Sequence, residues 1–365
     1  MTSQNDLGLN ADIIAKAQAD FESLVNLLGA CAADSIEVAD RRGKDDVFGR
    51  QASERAQLVR DLLRGDSILN NPLSPLNQVL SFARERQGVT QPVSWVLERN
   101  VFSEKCFDSM IEHFNAKSIP YAIVSVVPFI HEIDGEVPAM ASPVVVYGSI
   151  GIQKMAKKHA WEPGIFGDAE AFSEAEAARH LQSLYLNYGQ MRVAIKTLGD
   201  NTELYAGLLA GTKGQPATKF FIKPNTDTKE FAGQVVDVAS FKEWYAGMLQ
   251  SGYLEDNDFE VVISQPKKLG CEWRVVVVDG EISDASIYRQ YGIVKPQRHI
   301  IPEVAEVVAK AHMRYQPAPI YVIDIAEVGD DFKVIEYNTF NSAGLYACDV
   351  GKIIDDINAY LERTQ

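Results

Sequence analysis

The chain has 365 residues, 46% of them hydrophobic, enough for roughly two or three domains with a substantial core. A formal net charge of −15 disfavours a protein that tracks nucleic-acid phosphates, and no apolar run reaches the length of a membrane span. Cys31, Cys106, Cys271 and Cys348 lie far apart without a metal or redox motif, the histidines are scattered, and the N-terminus lacks a signal-peptide pattern, so a cytoplasmic location is expected.

Residues 1–75 read as a helical extension. Ile13, Ile14, Ala17, Phe21, Leu24, Val25 and Leu28 recur at helical spacing after a capping Asn10, and Leu58, Leu62 and Leu63 mark a second helix. An accessory layer or a homo-oligomer contact accounts for such a segment. Asn70 to Pro75 reads as a linker. From 76 to about 170 the pattern is α/β. A short helix over Leu76–Arg86 precedes a strand at Val93–Leu97, a helix at Cys106–Phe114, and strands at Tyr121–Val127 and Pro143–Tyr147. Alternation of this kind predicts a parallel sheet. Gly148 and Gly151 leave room for a ligand or a helix start, and they make no dinucleotide fingerprint.

The third segment, 171–365, opens with a helical stretch over Glu174–Tyr188, then Gln190-Met191-Arg192 and a loop over Gly207–Gln215. Lys219 to Pro224 is a short strand with Lys219 and Lys223 on one face, Phe220 and Ile222 on the other. Lys223 is either an edge lysine kept in water or a compact charge aimed at a phosphate. Glu260 to Pro266 is a further apolar strand, and Asp279-Gly280 turns a hairpin between 270–278 and 281–288. A simple two-residue turn sets Arg274 opposite Ala285 and Glu272 opposite Ile287. Glu272 and Arg274 then share a face, either as an internal ion pair or with the guanidinium ready to grip oxyanions.

The acidic hairpin runs from Tyr321 to Asn338. A turn centred on Asp330 places Asp324 directly across from Glu336, with Asn338 on the same face. Like charges in that position are destabilising unless a cation lies between them. These hard oxygen donors suit Mg2+ or Mn2+. The alternative is a solvated surface hairpin, which explains Asp330 and Asp331 better than Asp324 in its apolar run. Ser342 to Glu362 closes the chain, mostly as a helix.

A lysine in Phe-Ile-Lys-Pro, then Glu-Trp-Arg before a hairpin, then an aspartate strand followed by Ile-Glu-Tyr-Asn: in this order the motifs resemble the ATP-grasp superfamily. The block Val334 to Tyr346, together with Trp95 to Asn100 and Trp161 to Gly164, resembles a largely uncharacterised bacterial and phage clade of ATP-grasp ligase-like proteins. The resemblance covers roughly residues 90–350. It implies two α+β lobes clamping ATP, preceded by a small α/β pre-ATP-grasp domain.

By position, the resemblance implies that Lys223 contacts the α- and β-phosphates and that the backbone of Val262, Ile263 and Ser264 reads the adenine edge. Arg274 would meet the γ-phosphate or an acyl phosphate, with Glu272 beside it. Asp324, Glu336 and Asn338 would hold magnesium. Arg192 would stand where the family carries an earlier phosphate-binding lysine. The family's glycine-rich flap is missing. Asn225 to Lys229 follows the strand lysine, with no glycine until Gly233, so hydroxyls, backbone and Lys229 would cover the phosphates. Tyr288, Arg289, Tyr291 and Asn341 are candidates for the acceptor side or for ordinary packing. The implied reaction is ADP-forming ligation of a small-molecule or peptide carboxylate to an amine through an acyl phosphate, which needs no nucleophilic side chain. A phosphotransferase on a small molecule and a non-catalytic nucleotide-binding module remain the alternatives.

Overall fold

The computed structural model describes residues 92–364, apart from 100, 102–103, 128–129, 131, 211–214, 228–229 and 251–257. The expected N-terminal helices, the linker, the Leu76–Arg86 helix and Lys229 lie outside the described residues.

Val-rich runs bounded by Pro and Gly build the first sheet. Strand β1 (Ser94–Glu98) is followed by α1 (Glu104–Lys117) and β2 (Tyr121–Val124), and a two-residue pair, β3 (Val126–Val127) and β4 (Glu132–Ile133), forms a small ribbon. Then come β5 (Val144–Tyr147), α2 (Ile150–Lys158) and β6 (Pro163–Gly164). The sheet is parallel, in the order β2-β1-β5-β6, as the alternation predicts. All five residues of β1 and all four of β5 are buried, as expected of a sheet covered on both faces. Gly148 makes room for a neighbouring side chain rather than a ligand, because a Cβ there would collide with that of Glu98. Ser149 caps α2 through its side chain and donates its backbone N–H to Glu98 at 2.7 Å.

The next sheet is antiparallel. Helix α3 (Glu174–Leu181) leads to β7 (Met191–Ala194), the short helices α4 (Ile195–Asp200) and α5 (Thr202–Leu208), and β8 (Lys219–Pro224). Strand β9 (Gln234–Asp237), helix α6 (Phe241–Gln250) and β10 (Glu260–Ser264) complete it, in the order β7-β10-β8-β9. Its apolar face closes over Phe220, Ile222, Phe241, Val261 and Ile263, all fully buried.

The third sheet carries the longest strands. They are β11 (Cys271–Val278), β12 (Glu281–Gln290) and β13 (Ile293–Arg298), then, after α7 (Pro302–Arg314), β14 (Ile320–Val328) and β15 (Asp331–Thr339). The order is β13-β12-β11-β14-β15, and α8 (Val350–Thr364) closes the chain. Helix α8 begins later than the expected helical run from Ser342, and residues 343–349 are not helical. Asp279 and Gly280 both have positive φ, 52° and 84°, the primed turn that matches strand twist.

Register differs from the simple expectation. Irregularities between Glu272 and Trp273 and between Val276 and Val277 shift the first hairpin. Arg274 therefore faces Ser286 rather than Ala285, and Glu272 faces Arg289 rather than Ile287. In the acidic hairpin the turn is Gly329-Asp330, pairing Val328 with Asp331, and a bulge at Ile335 restores the offset. Asp324 thus stands across from Glu336 as expected, by a route that includes an extra residue.

Residues 91–365 form one compact unit. Phe340, just after β15, packs against Trp95, Tyr147 and Phe166 with ring centroids 5.4–6.3 Å apart, joining the parallel sheet to the acidic hairpin.

Candidate active site

Four side chains stand in one row across adjacent antiparallel strands: Ser286 on β12, Arg274 on β11, Asp324 on β14 and Glu336 on β15. Direct opposition fixes them on a common face. Arg274 donates from Nε and Nη2 to the two oxygens of Asp324 at 2.9 and 2.7 Å, and from Nη1 to the Gly344 carbonyl at 2.9 Å. Burial works against the guanidinium's charge, but Asp324 beside it wins and keeps it protonated. Burial pushes the Asp324 carboxyl up to about 6 in spite of Arg274, with Glu336 adding like-charge repulsion.

The other lobe contributes Lys223. It sits on β8, paired in register with Val262 of β10, and its Nζ reaches Glu174 at 2.6 Å and also Glu336. Burial opposes its charge, and the two carboxylates more than compensate. It is therefore not a water-facing edge lysine, because β8 has neighbours on both sides and only 13% of the side chain is exposed. Glu174 opens α3, where Ser173 accepts from the Glu176 N–H as its cap. Burial raises its pKa against the pull of Lys223, and its second oxygen accepts from the Tyr185 hydroxyl. Sequence reasoning missed Glu174 and Tyr185. The cap pattern Ser-x-x-Glu marks the helix start, but nothing in it says that the helix aims at Lys223.

Lys223, Arg274, Asp324, Glu336 and Asn338 line one cavity of about 310 Å³, together with Glu174, Thr226, Asp227, Tyr288, Arg289 and Tyr346. Tyr288 stacks on Tyr346 at 4.9 Å, and the Arg274 guanidinium lies 5.6 and 5.1 Å from their ring centroids. Asn338 donates to Glu336 at 3.2 Å. Among the described residues no cluster of three or more His, Cys, Asp or Glu side chains forms a metal site. Asp324, Glu336 and Asn338 supply two carboxylates and an amide oxygen, a donor set that fits a hard cation.

Other candidates fall elsewhere. Glu272 does not pair with Arg274. It lies behind the cavity wall, accepting from Tyr288 at 2.7 Å, with Arg289 at 3.5 Å. Arg192 is about half exposed and lies 3.4 Å from Glu260, away from the cavity lining. Val262 and Ile263 are buried in the central strand, and Ser264 donates to Asn187 at 3.0 Å. Tyr291 is 74% exposed in the β12–β13 turn. Asn341 is fully buried. It donates to the carbonyls of Val146 (2.6 Å) and Gly164 (3.1 Å) and accepts from the Phe166 N–H at 2.9 Å, so it ties the sheets together and does not face an acceptor.

Two α+β lobes, with Lys223 from one and an arginine–carboxylate row from the other meeting at a cleft, define an ATP-grasp fold. The chain belongs to an ATP-grasp domain family, the third family of its clade, matched over residues 122–357. In structure it is similar to D-cycloserine synthetase DcsG, at 14% identity and TM-score 0.50, over 74% of this chain and 99% of that one. It is likewise similar to D-alanine–D-alanine ligase from Bacillus anthracis, at 14% identity and TM-score 0.51, over 75% and 98%. Identity this low makes the likeness one of fold. No protein of curated function matches the sequence.

Proposed function

We propose that the protein is an ATP-dependent carboxylate–amine ligase that forms an acyl phosphate and releases ADP. The observation that carries this reading is the convergence of Lys223, Arg274, Asp324, Glu336 and Asn338 on one cavity drawn from both lobes. Phosphoryl transfer asks for positioning and charge neutralisation more than for covalent chemistry, and this residue set supplies both. Two fold relatives, a synthetase and a ligase by name, support the class.

In this reading Lys223 binds the α- and β-phosphates, and the Val262–Ser264 strand lies along the adenine. Arg274 meets the transferred phosphoryl group, and Asp324, Glu336 and Asn338 hold Mg2+. When bound, Mg2+ bridges phosphate oxygens and offsets their charge. The resting pairs must then exchange partners: Lys223 leaves Glu336, and Arg274 loosens from Asp324, each cation turning to phosphate as each carboxylate turns to metal. The carboxylate substrate attacks the γ-phosphorus, the bond to the ADP oxygen breaks, and the amine then displaces phosphate from the acyl carbon. Thr226 and Asp227 lie where the missing glycine-rich flap would cover the phosphates. The stacked Tyr288 and Tyr346, with Arg289, form the wall nearest the acyl group. The division at 76–170 and 171–365 stands as part of this proposal.

Hydroxylamine tests it by taking the amine's place. The protein is incubated with Mg–ATP, hydroxylamine and a mixture of amino acids and dicarboxylates. The proposal expects ADP together with a hydroxamate, neither of them formed by Glu336→Gln. ADP with a phosphate ester would identify a phosphotransferase, and absence of both products would leave a nucleotide-binding module.

A further inference from the structure

A second cavity, of about 180 Å³, adjoins the first, and Asp227 lines both. One wall is a single face of α2: Ile150, Gln153, Lys154 and Lys157 follow the helical three–four spacing. The facing walls carry Asp168, from the loop after β6, and Asp227. Asp227 is fixed in the partition by accepting from the Thr339 N–H at 3.0 Å, at the end of the acidic hairpin. Gln153 bears an amide nitrogen that is out of reach of solvent and has no hydrogen-bond partner, a donor left for something else to satisfy. Basic groups on one wall and acidic groups on the others match a small molecule with a charge of each sign. The volume is about that of six water molecules in the liquid, on the order of an amino acid.

We propose that this cavity binds a free α-amino acid as the amine substrate. Its carboxylate lies on the Lys154–Lys157–Gln153 wall and its ammonium toward Asp227 and Asp168. The role as acceptor rests on the ligase reading above; the binding does not. The shared partition gives the arrangement its chemical sense, because the nitrogen must reach an acyl phosphate made in the first cavity. The ammonium first gives up a proton. Its lone pair forms the C–N bond, the C–O bond to phosphate breaks with its electron pair, and a second proton leaves the nitrogen. The departing phosphate takes up one proton and the other goes to solvent. Lys154 and Lys157 keep the carboxylate end of the acceptor distant from the reacting carbon, so the acceptor is not phosphorylated in place of the donor. This chemistry selects α-amino acids over plain amines and over N-acylated amino acids.

Saturation-transfer NMR on the full-length protein with a mixture of the standard α-amino acids tests the assignment. At least one amino acid is expected to bind, with its decarboxylated amine and its N-acetyl form at least about tenfold weaker. The double variant Lys154→Met/Lys157→Met should weaken it by about tenfold or more, since both changes lie on the exposed face of α2 and leave the helix its packing. Gln153→Leu should also weaken it, while thermal unfolding shows the variant folded. Absence of any bound amino acid in protein that binds Mg–ATP would overturn the proposal, as would binding that survives the double variant or that the plain amine matches. Mg–ATP binding is read separately by calorimetry. Protein that binds no nucleotide but keeps this amino-acid pattern refutes the ligase reading and still supports the cavity.

Discussion

Arg274 and Asp324 stand directly opposite each other on neighbouring antiparallel strands, and the guanidinium grips both carboxylate oxygens at 2.9 and 2.7 Å. Asp324 is 1% exposed and Arg274 8%. The pair therefore ties together the residue proposed to meet phosphate and one proposed to meet metal, each neutralising the other at rest.

Breaking that pair should be costly, and removing both partners should not. Arg274→Met leaves a buried carboxylate unpaired, so urea unfolding should report a loss of roughly 3–5 kcal/mol. Asp324→Leu should cost a similar amount. The double variant should recover most of the loss while remaining without ATP turnover. Simple additivity of the two losses would contradict the geometry, because contacting residues couple.

Lys223 bridges the lobes through Glu174 and Glu336, so its loss should be felt in binding more than in folding. Lys223→Met should weaken Mg–ATP binding by about ten- to a hundredfold, the equivalent of one or two charge-assisted contacts. Calorimetric titration of folded protein checks this. Unchanged affinity would remove Lys223 from the phosphate site.

Asn341 should prove structural. Asn341→Ala leaves the Phe166 N–H and the carbonyls of Val146 and Gly164 without their partner, which should cost roughly 2–4 kcal/mol. The expected kinetic signature is lower thermal stability with an unchanged KM for either substrate. A raised KM in stable protein would return Asn341 to the substrate site.

The buried thiols carry a pH signature. Burial pushes the Cys106 thiol up from 9.0 to about 11, in spite of its hydrogen bond with Tyr147, and Cys348 up to about 12. Between 9 and 11 the folded chain holds protons that the unfolded chain has released, so stability falls as pH rises through that window. At pH 8 only about one in a thousand Cys106 side chains is thiolate. Iodoacetamide should leave Cys106 and Cys348 unmodified in native protein and label both in denaturant. Native labelling at the rate of a free thiol would contradict their placement.

The hairpins are legible in the sequence because turn chemistry and alternation are local. Asp279-Gly280 announces its turn, and the apolar setting of Asp324 marks it as more than a surface acid. Register is less legible, because a bulge adds one residue without a sequence mark. It moves the partner of Arg274 from Ala285 to Ser286, while the bulge at Ile335 happens to keep Asp324 opposite Glu336. The pattern over 293–314, where β13 and α7 lie, suggests no element, since a fully exposed edge strand lacks the apolar alternation that reveals one. Glu174 is invisible for a different reason. Its partner, Lys223, is 49 positions away, and only the packing of α3 against the cleft brings the two together. Asn341 departs from its expected role because a buried amide serving backbone groups and an amide serving a ligand look alike in sequence.

Calorimetry of Mg–ATP binding tests the central claim most directly, comparing the unmodified protein with Glu336→Gln. The expected result is tight binding that requires Mg2+, weakened at least about tenfold by the substitution. Affinity that is independent of Mg2+ and indifferent to the loss of the Glu336 charge would contradict a shared site for metal, Lys223 and Arg274.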